Sequence, residues 1–145
     1  MGFQFSLATV LRVRGIVEEQ EERMLQKILF ELAHTREDLE RTDSGISATN
    51  AARSEDLFKP LIGHHVHAAY GELEEFKRYK KELEEKIAKL EELRDRQLAI
   101  YAKARRNREM LTDMREEKRS AYESEMARAE QKTLDDNFIA RRGRN

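Results

Sequence analysis

The chain has 145 residues, of which 39% are charged and 7% aromatic, with a formal net charge of −1 and no cysteine. These figures exclude a disulfide-held module and thiolate chemistry, and they give no bulk electrostatic case for nucleic acid or an anionic membrane. One domain's length with a charged, helix-forming composition points to long helices or coiled coil rather than a globule.

The first predicted helix starts after Ser6, which is placed to cap it, with Phe5 and Val10 at the two positions of a hydrophobic staple. Apolar residues then recur at spacings of three and four: Leu7, Val10, Val13, Val17, Met24, Ile28, Leu32 and Leu39. That stripe predicts one buried helix face over about 7–42. Glu18, Glu19, Glu21 and Glu22 form a charge run, expected to be a solvated face.

The stretch from Thr42 to His65 is punctuated by Gly45, Pro60 and Gly63 and rich in Ser, Thr and Asn. The chain is expected to reverse within 43–65. If Ile46, Leu57 and Leu61 continue the first stripe, the first helix extends to about 60 and the bend falls near Pro60 to His65. His64, His65 and His67 cluster at this place. No cysteine or spaced carboxylates complete a ligand set, so a metal site is not expected there.

The second predicted helix covers about 66–141. Ala69, Leu73, Phe76, Leu83, Ile87, Leu90, Tyr101, Ala104, Leu111 and Tyr122 fall on one heptad register. Glu74 with Arg78, Glu82 with Lys86, Glu85 with Lys89 and Glu92 with Arg96 are spaced to pair along its outer face. A helix of about 110 Å, beside a first helix of about 55 to 80 Å, needs its stripe covered. Two stripes joined by a bend predict an all-α, antiparallel coiled-coil hairpin over 1–145. The same register also carries Lys80, Arg94, Gln97, Arg108, Arg115 and Lys118, mostly in the second half of the long helix. Charges at a seam are costly unless paired, so the hairpin is expected to be firmer near the bend than at its open end.

No phosphate loop, nucleophile motif or dinucleotide fingerprint occurs, and the carboxylates are spread as helix-surface charge. An enzyme is not expected, nor is a cofactor. The basic stretches KARRNR (Lys103 to Arg108) and ARRGRN (Ala140 to Asn145) lack interleaved aromatics, so nucleic acid is not the expected partner. No apolar run approaches the roughly 18 residues that span a bilayer. The N-terminus lacks a signal peptide's basic start and apolar stretch. A soluble, cytoplasmic protein without direct membrane insertion is expected.

Two ends of the chain carry a family likeness. The N-terminal FQFSLATVLRVRGIVEEQEE presents Phe3, Phe5, Leu7, Val10, Leu11 and Arg14. The C-terminal run ends SAYESEMARAEQKTLDDNFIARR, presenting Tyr122, Glu125, Arg128, Glu130, Gln131, Lys132, Leu134, Asp135 and Asp136 after Leu111. Together they resemble FliJ, the small coiled-coil component of the bacterial flagellar type III export apparatus. AAYGELEEF (Ala68 to Phe76) is similar to the start of that family's second helix. Thr42 to His65 matches nothing in the family, and Asn137 departs from its pattern.

The resemblance implies a long antiparallel coiled coil similar to the gamma stalk of rotary ATPases. It implies a non-enzymatic stalk and adaptor, cytoplasmic and peripheral to the membrane-embedded export apparatus. The implied partners are the hexameric export ATPase, the cytoplasmic domain of the export gate protein, and export chaperones. On this reading Arg12, Arg14, Arg128, Glu130, Lys132, Asp135, Asp136, Arg141 and Arg142 bind the ATPase. Leu73, Phe76 and Leu83 are candidates for the gate contact only if the first helix leaves them uncovered; on periodicity they are equally seam residues. The alternatives are the equivalent stalk of a virulence-type secretion ATPase, a self-associating structural coiled coil, and a nucleic-acid-binding helical hairpin.

Overall fold

The computed structural model describes residues 2–56 and 63–144, with the side chains of 56 and 63–69 outside the description. Two helices form the fold, which is all-α: α1 spans Ala8–Asp56, 49 residues, and α2 spans Gly63–Gly143, 81 residues. No strand occurs among the described residues. The chain divides into two compact units, Met1–Glu21 with Tyr101–Asn145, and Glu22–Ile100.

In the unit of Glu22–Ile100 the helices pack antiparallel. As α1 runs from Arg36 to Asp43 to Arg53, its partners on α2 fall from Glu91 to Lys80 to Tyr70. Leu25, Leu32, Thr35 and Thr42 of α1 are buried, as are Leu73, Leu83, Leu90 and Gln97 of α2. Ile28, Leu39, Ile46, Phe76 and Ile87 are half-buried between them. With the half-buried Lys80 and Arg94 of α2 included, these positions alternate three and four residues apart on both helices, the spacing of a heptad seam.

Two threonines in that seam dispose of their hydroxyls within α1. Thr35 Oγ1 donates to the Glu31 carbonyl at 2.7 Å, and Thr42 Oγ1 donates to that of Asp38 at 2.8 Å. Each therefore presents its methyl group to the seam without leaving a buried donor unpaired. Ion pairs flank the apolar contacts: Arg36 with Glu91 at 3.0 Å, Lys86 with Glu31 at 3.6 Å, and Lys80 with Asp43 at 2.8 Å. The hydrogen bond to Asp43 holds the Lys80 amine above its ordinary range.

α1 continues through Gly45 to Asp56, so the Ser- and Thr-rich stretch after Thr42 is helical as far as Asp56. Gly45 has a packing reason to be glycine. A Cβ there would lie 3.1 Å from two carbons of the Phe76 ring. Leu57, Pro60 and Leu61, and with them most of the expected bend, lie outside the described residues.

In the other unit α1 and α2 again face each other, across a seam that mixes apolar and charged residues. Phe3 and Tyr122 stack with ring centres 5.7 Å apart. Phe5 is buried, with Lys118 Nζ 5.8 Å from its ring centre. Ala104 is buried, and Leu7, Leu11, Tyr101 and Leu111 are half-buried. The α1 turn is closed by the Ala8 N–H donating to the Phe5 carbonyl at 3.1 Å. Val10 is exposed, so Phe5 owes its burial to α2 rather than to a staple with Val10.

The first helix's predicted stripe is misplaced along its N-terminal half. Val10, Val13 and Met24 are exposed. Leu7 and Val17 of that stripe are half-buried, and the other inward positions there are Leu11, Gly15, Glu18 and Glu21. Both stripes have three-four spacing, so periodicity alone favoured the more apolar one. The inward one keeps the register that continues into Leu25, Ile28 and Leu32. The charge run is accordingly not uniformly solvated: Glu19 and Glu22 are exposed, while Glu18 and Glu21 face inward.

Candidate protein-interaction surface

Tyr122 stacks on Phe3, at the very start of the chain. Past Tyr122, no described residue of the N-terminal segment covers α2. The remaining stretch, Glu123–Gly143, is about 31 Å of helix, and each of its residues is exposed.

Local chemistry favours helix in this overhang without tertiary packing. It contains three Ala, three Glu and three Arg, all strong helix formers. Arg119 pairs with Glu123 at 3.6 Å, and Gln131 Nε2 donates to Asp135 Oδ1 at 3.0 Å. Thr133 Oγ1 donates to the Ala129 carbonyl at 2.9 Å. Arg141 and Arg142 lie in the last turn, where a cation suits the helix dipole. Yet Leu134, Phe138 and Ile139 are 63%, 64% and 67% exposed, and Met126 is exposed with them. Met126, Ala129, Glu130, Thr133 and Leu134 line a shallow groove on one face.

Seven of the side chains expected at an ATPase contact stand here, all exposed: Arg128, Glu130, Lys132, Asp135, Asp136, Arg141 and Arg142. Arg12 and Arg14 are exposed too, but on α1 between Phe5 and Glu18, beside the paired part of the unit rather than on the overhang. The gate candidates are placed differently. Leu73 and Leu83 are buried, and Phe76 is half-buried against Gly45. α1 covers them, so the exposure on which a partner contact depended is absent in this packing, and they serve the seam.

Sequence reasoning missed the apolar character of the overhang. Met126, Ala127, Leu134 and Phe138 do not fall on the register of Leu111 and Tyr122, which continues through Glu125, Ala129, Lys132, Asp136 and Ile139. The departure is legible in the sequence once the register is extended past Tyr122.

The seam beside this overhang is polar. Arg108 Nε donates to Glu18 Oε2 at 2.6 Å and its Nη2 to Oε1 at 3.1 Å. Their side chains are 31% and 14% exposed. The hydrogen bond from Arg108 is the main cause that holds the Glu18 carboxyl below its ordinary range, and the same bond raises the guanidinium. Arg115 also faces the seam, and its Nε is buried without a hydrogen-bond partner.

Among the described residues no group of three or more His, Cys, Asp or Glu could hold a metal ion. The side chains of His64, His65 and His67 lie outside the description. No described helix is long and apolar enough to cross a membrane. Comparison with protein-family models, with curated proteins and with solved structures gives no match.

Proposed function

We propose that this chain is a non-enzymatic stalk and adaptor of a type III flagellar protein export apparatus, docking on the hexameric export ATPase. The observation that carries the reading is the overhang. α2 outruns α1, and the exposed stretch bears the EQKTLDD run on which the FliJ resemblance rests. A single charged helix projecting past a two-helix coil has the form required to enter the middle of a ring of subunits. Exposed charges of this kind suit orientation and rate of docking more than raw affinity.

The links to the cytoplasmic domain of the export gate and to export chaperones, and a cytoplasmic place beside the membrane-embedded apparatus, rest on the resemblance alone. The test is to add the chain to a purified flagellar export ATPase and follow hydrolysis and ring formation together. Stimulation near one chain per six ATPase subunits is the expected result. No effect on either readout would overturn the proposal.

A further inference from the structure

The overhang carries a two-part pattern that its own length makes legible. Glu123, Ala127, Glu130, Leu134, Asn137 and Arg141 follow one another at spacings of four and three, with Met126 and Phe138 immediately beside that line. They therefore share one helix face. Its charges are segregated. On the face itself Glu123 and Glu130 lie in the first half and Arg141 at the far end, flanked by Arg142 and Arg144; Glu125, Arg128, Lys132, Asp135 and Asp136 fall on the other sides of the helix. All these side chains are exposed, including the apolar ones.

We propose that this face pairs with the same face of a second copy of the chain, the two overhangs running antiparallel about a two-fold axis near Lys132. Antiparallel pairing sets Glu123 opposite Arg141 of the second copy. It sets Met126 opposite Phe138, Ala127 opposite Asn137, and Glu130 opposite Leu134. Each contact occurs twice, as an isologous interface requires. A parallel pair would stack the three arginines on their own counterparts, a repulsive arrangement at e/g-type distances. The charge layout thus selects both the occupant and its direction. Pairing also covers Met126, Leu134 and Phe138, which a lone helix of about this length leaves in water. The inference does not rest on the ATPase reading. Only one occupant at a time can hold the face, so a second copy there competes with any other.

The absence of cysteine makes the test direct. The mass of the full chain in solution is measured by sedimentation equilibrium over a wide concentration range. Two single-thiol variants, Ala127→Cys and Asn137→Cys, are then mixed and oxidised. The expected results are a mass that doubles with concentration, with the doubling weakened by salt, and mixed 127–137 disulfides in excess over like-with-like ones. As a second pair of variants, E123R/E125R/E130R and R141E/R142E/R144E should each remain monomeric and helical by circular dichroism, and should associate when mixed. A monomer at every concentration overturns the proposal, as does a predominance of like-with-like disulfides or dimers that survive either charge reversal.

Discussion

Arg108 grips Glu18 with two parallel hydrogen bonds, 2.6 and 3.1 Å, at a position where a coiled coil normally places two leucines. The pair replaces apolar burial by a charge-assisted, geometrically specific contact. It also fixes register, because a shift of one residue on either helix separates the two groups.

This contact makes stability depend on acid. Glu18 is held below its ordinary value of 4.5, chiefly by the Arg108 hydrogen bond. A depressed carboxyl contributes stability that is present in full above the unfolded value and lost as pH falls through the folded one. Thermal melting of the chain should therefore drop on acidification below pH 4.5 more steeply than that of Glu18→Gln. At neutral pH the variant should lose about 1–2 kcal/mol, because Arg108 is left without its charged acceptor. Parallel acid profiles for the two chains would show that the pair carries no linkage.

Arg115 is the opposite case. Its Nε is buried without a hydrogen-bond partner, and its Nη2 lies 3.6 Å from Glu116. Arg115→Leu should raise the melting temperature, by an increment of about 1 kcal/mol, since an unsatisfied buried donor is replaced by seam-like apolar surface. A fall in melting temperature would mean that the arginine's methylenes pack better than leucine does.

Two helical glycines separate propensity from packing. A Cβ at Gly15 meets nothing within 4 Å, whereas one at Gly45 meets the Phe76 ring at 3.1 Å. Gly15→Ala should stabilise by about 0.5–1 kcal/mol, the usual helix-propensity gain. Gly45→Ala should gain less, because the ring must give way. Chemical denaturation of the two variants side by side checks the order; equal gains would mean that Phe76 relaxes freely.

Lys132, Asp135 and Arg141 project from the overhang and touch no part of α1. Replacing all three by alanine should leave helicity unchanged or slightly raised, alanine being the best helix former. Binding to the export ATPase should weaken at least tenfold, on the order of 1.4 kcal/mol. Unchanged binding would remove these side chains from the proposed contact.

The second helix was legible from its residues because one register persists: Leu73, Leu83, Leu90 and Ala104, expected inward, are all buried. The first helix was legible in type but not in facing. Val10, Val17 and Met24 repeat every seven residues as regularly as Leu11, Glu18 and Leu25, and hydrophobicity prefers the first set, of which Val10 and Met24 are exposed. Only the partner helix breaks the tie, through Arg108. Arg94, Arg108 and Arg115 on the seam register signalled a polar open end, and Glu18 pairing with Arg108 is how part of that polarity is met. The overhang's apolar face was hidden because Met126, Ala127, Leu134 and Phe138 lie off the register that runs through Tyr122, and a search for one continuous heptad passes over it.

α2 is a single hydrogen-bonded element from Gly63 to Gly143, without cis peptides or left-handed residues. The protein's one proline, Pro60, lies before it. Kinks in long helices arise at prolines, bulges or inserted side chains, and the described helix has no proline. Within its own unit the Arg108–Glu18 clasp opposes sliding of one helix along the other, because a slip of a single residue breaks both of its hydrogen bonds at once.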